Sequence, residues 1–515
     1  MTGTMICHPA SQPDEDELTA ATNYHEPTSW AMRSSAERCR IVGKVRHEIA
    51  HCADLLVSEA RNDQRRDEIE TVASELIPLC DALGWIARRG PRVLRKRSVG
   101  LSRRPIWMWG VRSIVQRVPL GRVLILGTWN YPLFLSGVQA AQALAAGNSV
   151  LLKPAPGSER VTSAMVDAFH RAGIPKDALQ LLDSSTDSAI SAIDAGVDLI
   201  VLTGSAATGK RVLRQAADHL TPAIMELSGV DAALILDDAD QERVVSAIRF
   251  GLLFNSGATC IGPRRAIYLH ATTAANEPDG SIGHTIPTNP RKLAQPPWID
   301  RLVETLRAAD PVIVHPAARN TVADVIESAI ELGAVDRIGK FNADEVRQTG
   351  SMSPVVMANV PEGHAVLQSD MFAPVLSLMP VDSVDDAITV INTCPYRLAA
   401  SVFGPTAIAR HVASQLSVGS VVVNDLVAPT ADPRLPFGGR GDSGFGVTRG
   451  PEGLLAMTTP RVISTRRGRI APHLSARNDS DAELLTGVLQ LNHSRGFRDR
   501  FEALRRLTTA ARRRS

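Results

Sequence analysis

One cysteine stands in a loop of small residues that could do nucleophilic chemistry. In the stretch FNSGATCIGP, Cys260 follows Gly257, Ala258 and Thr259, so no bulky neighbour on that side shields its sulfur. A thiolate in such a position could attack a small electrophile and form a covalent intermediate. A free cysteine is also often just a small buried hydrophobe. The local sequence leaves both roles open.

A glutamate and an asparagine are the next residues that could take part in chemistry. Glu226 lies between the apolar residues Met225 and Leu227, and burial would raise its pKa toward that of a general base. Asn130, in the stretch GTWNYP, could aim its amide N–H at a developing negative oxygen. Alternatively, Glu226 is a surface carboxylate and the asparagine belongs to an ordinary turn.

Two further segments could bind phosphate. Gly204 and Ser205 follow an apolar run and open a helical pattern, where backbone N–H groups favour a pyrophosphate. Residues 204–210 match GxxxxGK, but Arg211 occupies the Ser/Thr position that would bind magnesium, which disfavours a nucleoside triphosphatase. Lys153 ends another apolar run and could pair with a ribose or phosphate, or simply be a surface lysine.

These residues require strands and helices to position them. Short apolar runs that end in Gly, Lys or Asn alternate with segments of helical periodicity, which predicts a parallel, doubly wound α/β sheet. Ligands of such sheets bind at the carboxyl ends of the strands. The predicted strands are 123–126, 149–152, 199–202, 232–236, 265–269, 375–378, 399–403 and 420–424. The predicted helices are 135–146, 188–195, 241–253, 299–308, 321–332, 384–392, 406–415 and 497–514.

Composition limits the class of protein. The 515 residues suffice for two or three domains, and a net charge of +2 argues against a general nucleic-acid binder. The six cysteines are scattered without a CxxC pair or a Cys/His cluster, so we expect no metal site and a reducing compartment. Neither a signal peptide nor an apolar run of membrane-spanning length is visible. We therefore expect a cytoplasmic protein.

Four segments stand apart from the α/β pattern. Residues 1–28 are acidic and Pro-containing, which predicts a mobile arm, and residues 88–104 read as a basic linker containing Pro91. Residues 270–298 are polar and predict a long loop or insertion. The basic helix 497–514 is interpreted as a solvated tail, with binding to a membrane surface or an acidic partner as the alternative.

Taken together, the motifs resemble those of the aldehyde dehydrogenase superfamily, in particular its compact, often dimeric branch. They occur in family order over about residues 30 to 465, and Glu226 and Cys260 are 34 positions apart, as the resemblance requires. Each motif alone is weak, whereas the ordered set is specific. The matched segments are residues 127–132, 153–154, 204–205 with 209, 226–229, 257–260, 372–375, 424, 436–439 and 443–444.

The resemblance implies a mechanism and a division into domains. Cys260 would attack an aldehyde, Asn130 would help to hold the oxyanion, hydride would pass to NAD or NADP, and Glu226 would activate the water that releases the acid. The residues expected to bind the cofactor are Trp129, Lys153, Gly204, Ser205, Gly209, Leu227, Asp370 and Phe372. The expected domains are a cofactor domain at 29–228, a catalytic domain at 229–424, an oligomerisation element at 105–120 with a return segment and strand at 425–472, and a basic tail at 473–515. A homodimer is expected.

Several positions depart from the family pattern and leave alternatives open. Pro156 stands where a glutamate often excludes the 2′-phosphate, so NAD and NADP both remain candidates. Asp370 replaces a glutamate, and Ala258 a glutamine that is common there. One alternative is an acylating enzyme that passes its thioester to coenzyme A, which the presence of Glu226 disfavours. Another is a catalytically silent dinucleotide-binding or scaffold protein.

Overall fold

The computed structural model describes residues 29–65, 67–100, 102, 104–105, 108, 110–269, 295–467, 474, 476–477 and 479–514. The predicted mobile arm and most of the predicted 270–298 insertion lie outside these residues. The chain divides into two compact units. The larger unit comprises the chain up to Lys96 and Gln116–Arg461, and the smaller one comprises Arg97–Val115 and Val462–Ser515.

The larger unit contains two sheets, each made mostly of parallel strands. The first sheet has six strands, and only its edge strand Gly444–Phe445 is antiparallel to its neighbour. In spatial order its strands are Gly444–Phe445, Ala223–Leu227, Leu199–Gly204, Arg122–Leu126, Ser149–Lys153 and Leu179–Leu181.

Helices bury both faces of the first sheet. Val123 and Ile125 belong to one apolar cluster, while Leu124 and Leu126 belong to another, as the alternation of side chains along a strand requires. A strand buried on both faces reads as a continuous apolar run, which is why the sequence shows this strand clearly. The helices of this region are Ser35–His51, Ala53–Ala60, Glu68–Thr71, Ile77–Val93, Phe134–Ala146, Glu159–Arg171, Thr186–Asp194 and Ala206–Asp218, with a π-helical turn at Val72–Leu76.

The second sheet has seven strands and the same layered construction. In spatial order its strands are Val335–Asp336, Val355–Ala358, Val375–Val381, Pro263–Leu269, Asp231–Ile235, Ala399–Phe403 and Ser420–Val423, of which the first is antiparallel. Its helices are Gln241–Leu253, Pro297–Arg307, Arg319–Glu331, Ala343–Thr349, Val384–Thr393 and Thr406–Ala413. Helix Gly450–Ala456 follows this region, and 3-10 turns lie at Phe254–Gly257, Ala365–Leu367 and Ala428–Ala431. Two short strand pairs, Val312–Ile313 with Ser351–Met352 and Tyr396–Arg397 with Arg440–Gly441, complete the unit.

Two helices and part of a small sheet form the smaller unit. The sheet has three strands in the order Arg97–Val99, Val111–Pro119 and Thr458–Arg466. The helices are Asp481–His493 and Phe497–Arg514, and the second has the bounds that the sequence predicted. Within the described residues, no helix combines the length and apolarity needed to cross a bilayer.

The predicted α/β class with doubly wound parallel sheets is confirmed, with two local corrections. The predicted strand at 232–236 belongs to the second sheet and lies within the range expected for the catalytic domain. Strand Ala223–Leu227, which carries Glu226, was not predicted because only residues 219–222 separate it from the end of a helix. The predicted basic linker is wrong over its first part, since helix Ile77–Val93 runs through Pro91. A proline near the end of a helix is tolerated more easily than one at its centre.

Candidate active site

Most of the predicted site residues lie at the carboxyl edge of the first sheet. Lys153, Gly204 and Leu227 are each the last residue of a strand of this sheet. The loop that carries Trp129 and Asn130 follows strand Arg122–Leu126, which lies between two of these strands. Positions far apart in sequence are therefore brought to the edge where parallel sheets bind their ligands.

Cys260 lies in a loop whose backbone is sharply folded. Helix Gln241–Leu253 ends at this loop, and Asn255 and Ser256 adopt positive φ angles of 50° and 56°. Gly257 has a φ of +77°, and a Cβ there would come within 2.5 Å of the backbone nitrogen of Pro374. Glycine is thus required by both conformation and space, and the loop packs directly against residues 372–374.

Hydrogen bonds from other elements hold the nucleophile loop, which we define as residues 254–262. The Asn255 backbone N–H donates to Glu70 Oε2 at 3.1 Å, and Asn255 Nδ2 donates to the backbone oxygen of Asn130 at 2.9 Å. The hydroxyls of Thr259 and Tyr131 are 2.6 Å apart. The loop is therefore fixed to the helical segment before the first sheet and to the loop that carries Asn130.

The side chain of Asn130 is oriented toward this loop. Its Nδ2 donates to the backbone oxygen of Ala258 at 2.8 Å, and its Oδ1 accepts from Thr128 Oγ1 at 2.6 Å. The second of these bonds determines which end of the amide carries the donors. The amide donor end therefore contacts the backbone of Ala258, two residues before Cys260, and its role toward an oxyanion stays a prediction.

Glu226 is buried at the end of its strand. Its Oε2 accepts from Thr448 Oγ1 at 3.0 Å and from Gln139 Nε2 at 3.3 Å, whereas Oε1 is buried without a hydrogen-bond partner among the described residues. Burial raises the pKa of Glu226, and Arg449 and these hydrogen bonds partly offset the rise. A carboxylate with one unpartnered oxygen and a raised pKa suits the role of a general base.

A cavity of about 260 Å³ contains both predicted catalytic groups. Cys260 and Glu226 line it together with the aromatic side chains Tyr131, Phe134, Phe250, Phe254 and Phe437. The other lining residues are Ala73, Ser74, Pro78, Leu135, Thr259, Ile261, Val427, Ala428, Thr430, Ala431 and Arg449. The structure thus places a thiol and a carboxylate on the wall of one mainly apolar chamber.

The thiol of Cys260 is half-buried, and its pKa is raised above that of a free cysteine. Burial is the main cause that raises its pKa, followed by the negative charges of Glu226, Asp231 and Asp370. Arg449 opposes this shift. Formation of the reactive thiolate therefore requires a base or an added positive charge.

Arg449 is a site residue that the sequence-based predictions missed. It is 5% exposed, lines the cavity, and lies with its guanidinium carbon 4.0 Å from the centre of the Phe437 ring. Thr448, Gln139 and Tyr131, which contact the site, were missed as well. An arginine between a threonine and a glycine gives no periodic signal, so only its tertiary contacts identify it.

The residues predicted to bind a dinucleotide form a suitable donor set. Ser205 caps helix Ala206–Asp218, its hydroxyl accepting from the Thr208 N–H at 3.2 Å, so the first backbone N–H groups of this helix are available to a pyrophosphate. Lys153 is half-buried on a neighbouring strand that ends at the same edge, and burial lowers its pKa. Gly209 supports helix packing instead, because a Cβ at this position would lie only 3.0 Å from a methyl group of Leu227.

An aromatic cluster lies next to this edge. The rings of Trp129 and His315 stack at 4.3 Å, and the rings of Trp129 and Phe372 are 5.8 Å apart. Phe372 has a φ of +46°, a left-handed conformation that is unusual for a phenylalanine. The two residues predicted as walls of the cofactor site are therefore neighbours, and His315 is an unpredicted third member.

Asp370 is held by an arginine and by a backbone N–H group. Its side chain is 1% exposed, and its Oδ1 accepts from Arg264 Nε at 3.3 Å and from the Phe372 N–H at 3.1 Å. Arg264 in turn donates through Nη2 to the carbonyls of Gly257 and Thr259 at 2.7 and 3.1 Å. The carboxylate is engaged beneath the nucleophile loop, and its contact with a ribose stays a prediction.

Comparison with known proteins agrees with this geometry. The sequence profile described as "Aldehyde dehydrogenase family" matches residues 1–279 and 298–463. The chain belongs to the aldehyde dehydrogenase family. This aldehyde dehydrogenase is 29% identical over 485 residues to the 4,4'-diapolycopene aldehyde oxidase of a Methylomonas species, covering 91% of this chain and 85% of that protein.

Solved structures of other proteins share the fold. A Mycobacterium tuberculosis aldehyde dehydrogenase in complex with NAD+ matches with a TM-score of 0.74 and 25% identity, covering 87% of this chain and 88% of that one. An Escherichia coli NADP-dependent enzyme matches with a TM-score of 0.74 and 21% identity, covering 86% and 88% of the two chains. The predicted family is confirmed.

Proposed function

We propose that this aldehyde dehydrogenase oxidises an aldehyde to a carboxylic acid with NAD or NADP, through a thioester on Cys260. The observation that carries the proposal is that Cys260 and Glu226 line one cavity, while the amide of Asn130 is held against the nucleophile loop. The complex of a structural relative with NAD+ and the NADP dependence of another support either dinucleotide.

Each residue has a role that its surroundings allow. Cys260, once deprotonated, attacks the carbonyl carbon of the aldehyde, and the Asn130 amide N–H stabilises the oxygen as it becomes negative. A dinucleotide held at this site would supply the hydride acceptor, so that loss of hydride from the reacting carbon would leave the substrate as a thioester on Cys260. Glu226 then takes a proton from the water that attacks this thioester, and the acid leaves as the C–S bond breaks.

The dinucleotide is assigned to the carboxyl edge of the first sheet. The N-terminal N–H groups of helix Ala206–Asp218 and Ser205 would hold its pyrophosphate, and Lys153 would contact its adenosine ribose or phosphate. Trp129 and Phe372 would border the nicotinamide end. Pro156 stands where a glutamate would repel the 2′-phosphate of NADP. Because proline carries no charge, we expect measurable turnover with NADP as well as with NAD.

The cavity also indicates the type of aldehyde. Five aromatic side chains line it, and its charged lining residues are Glu226 and Arg449, both of which take part in the site. An apolar wall favours a substrate with an aliphatic or aromatic body, since burial of such a body supplies binding energy.

The five described free cysteines support a reducing location such as the cytoplasm.

The proposal is tested by comparing wild type with Cys260→Ala and Glu226→Gln. We expect Cys260→Ala to abolish reduction of the cofactor with every aldehyde of a panel, because no thioester can form. Glu226→Gln should keep the pre-steady-state burst of NAD(P)H and slow steady-state turnover by about 10² to 10⁴, the contribution of a general base.

Two results would contradict the proposal. Activity that survives in Cys260→Ala would exclude this thiol as the nucleophile. Acid release that depends strictly on added coenzyme A would favour the acylating alternative, in which Glu226 would not activate water. Cys394→Ala is the matched control and should keep wild-type activity, because it removes a buried thiol that lies outside the cavity lining.

A further inference from the structure

The cavity wall carries a buried cation whose role the reaction above does not explain. Arg449 is 5% exposed, and its guanidinium lies between the rings of Phe437 and Phe134, at 4.0 and 5.3 Å from their centres. Its Nη1 donates to the backbone oxygen of Thr430 at 2.7 Å. Aromatic faces and a carbonyl stabilise a desolvated guanidinium, but they do not neutralise its charge.

The backbone of Arg449 is held in a conformation that normally requires glycine. Its φ and ψ are 61° and 171°, and its N–H donates to Gln142 Oε1 at 3.1 Å. Residues other than glycine are strongly disfavoured at these φ and ψ angles, and the residues that adopt them concentrate at functional sites. An arginine at a position that a glycine would occupy without strain indicates that its side chain serves a purpose.

Two unpartnered polar atoms belong to residues that line the same cavity. Among the described residues, the Nε–H of Arg449 and Oε1 of Glu226 are both buried and have no hydrogen-bond partner. One is a donor and the other an acceptor, and the two charges attract each other. Buried groups of this kind are normally satisfied by a polar ligand or by water.

We propose that Arg449 is a further catalytic residue, whose Nε–H and Glu226 Oε1 together hold the water that releases the acid. The water donates one hydrogen to the carboxylate and accepts from the guanidinium, which leaves an oxygen lone pair for the thioester carbon. Attack forms the new C–O bond, the proton passes to Glu226, and the C–S bond breaks to return the Cys260 thiolate. This inference rests on the proposed function, because it assigns a role in the second half of that reaction.

The test measures deacylation without cofactor or aldehyde. Hydrolysis of 4-nitrophenyl acetate separates acylation of Cys260, seen as a burst of nitrophenolate, from the slower release of acetate. We expect Arg449→Gly to keep the burst rate within about twofold and to slow acetate release by on the order of tenfold to a hundredfold, as loss of one oriented donor does. Glycine suits the backbone conformation here, so this variant is expected to fold.

Chemical rescue and charge retention distinguish catalysis from packing. Added methylguanidinium should restore much of the acetate release of Arg449→Gly, whereas the neutral isostere methylurea should not, and Arg449→Lys should be intermediate. Arg410→Met, on an exposed helix position outside the cavity, is the matched control and should match wild type. Rescue by methylurea as well would show that the arginine only fills space, and would overturn the proposal.

The pH profile provides a second readout. The charged groups that act on Cys260 and Glu226 are Arg449, Asp231, Asp370 and these two residues themselves, while Thr448 and Gln139 bond Glu226. Without Arg449 the carboxylate holds its proton to higher pH, so the acid limb of acetate release should move to higher pH. The inference would be overturned if the acid limb of acetate release in folded Arg449→Gly coincided with that of wild type. It would also be overturned if the nitrophenolate burst and the acetate release were slowed equally.

The two proposals fail in different ways. If wild type oxidises no aldehyde but hydrolyses the ester through Cys260, and Arg449→Gly slows acetate release, the proposed function is wrong and the role of Arg449 stands. If wild type oxidises aldehydes while Arg449→Gly deacylates at the wild-type rate, the function stands and the role of Arg449 is wrong.

Discussion

Cys260 and Glu226 share an environment that favours their uncharged forms. Burial raises the pKa of both groups, and the negative charge of Glu226 raises the pKa of Cys260 further. A neutral thiol resists alkylation and oxidation, because the thiolate is the reactive form.

A hydrogen bond to Glu226 gives a prediction at this scale. Thr448 donates through Oγ1 to the carboxylate at 3.0 Å, which favours its ionised form. Thr448→Val removes this donor at nearly constant volume and should raise the pKa of Glu226. Since deacylation needs the carboxylate, the acid limb of steady-state turnover should shift to higher pH, while the NAD(P)H burst keeps its amplitude.

Stopped-flow and steady-state rates measured as a function of pH would check this shift. Thr389→Val is the control, because its hydroxyl is exposed and bonds only within its own helix. A profile of Thr448→Val that coincides with that of wild type would mean that this hydrogen bond does not set the ionisation of Glu226.

At the scale of elements, a buried ion pair connects the nucleophile loop to the segment that carries Phe372. Arg264 and Asp370 are 2% and 1% exposed, and Arg264 also bonds two carbonyls of the loop. The pair therefore joins two segments whose relative position determines where the Cys260 thiol lies with respect to Trp129 and Phe372. Its Asp370 Oδ2 and Arg264 Nη1 have no further partner among the described residues.

Removal of one member of this pair should be costly. Asp370→Asn leaves the Arg264 charge buried without its counterion, and we expect a loss of stability of about 3 kcal/mol or more. The double variant Arg264→Met with Asp370→Leu should recover much of that loss, because no unpaired charge remains. Thermal unfolding of the wild type, Arg264→Met, Asp370→Leu and the double variant measures the coupling.

The same variants decide the function of Asp370. If its predicted contact with the cofactor ribose is the main role, Asp370→Asn should weaken NAD binding and leave the melting temperature unchanged. A stable Asp370→Asn with weakened cofactor binding would contradict a mainly structural role for the pair.

At the scale of the whole molecule, the small sheet exposes apolar side chains. Val462 and Ile463 are 62% and 40% exposed on strand Thr458–Arg466, and successive residues of a strand point to opposite faces. Strand Arg97–Val99 is also exposed along its length. A small sheet with uncovered apolar residues gains stability when another surface covers it.

We propose that a second copy of the chain provides this cover and that the enzyme is a homodimer. The double substitution Val462→Lys and Ile463→Lys should convert it to monomers, because it places two charges in the interface. Size-exclusion chromatography with light scattering measures the mass, and Leu220→Lys, at an exposed position of the larger unit, is the control. A wild type that is monomeric at micromolar concentration would contradict the proposal.

The sequence by itself determined the fold class, the family and many of the elements. Strands such as Arg122–Leu126 are buried on both faces and therefore appear as unbroken apolar runs, and helix Gln241–Leu253 has the predicted bounds. Cys260, Glu226 and Asn130 were predicted as catalytic residues from the ordered set of motifs, and their roles stay predictions. These features depend on a few neighbouring residues, so a single sequence is sufficient to read them.

Only the tertiary structure decided which distant groups meet. Thr448 bonds Glu226 across 222 positions, and Arg264 reaches Asp370 across 106. No periodicity or local motif encodes such contacts, because they arise from the way the two sheets and their loops close around the cavity. For the same reason the sequence could predict that Asp370 belongs to the site, but not that Arg264 is its partner. Nothing in the sequence around Arg449 indicates that its guanidinium lies in the cavity wall that also carries Cys260.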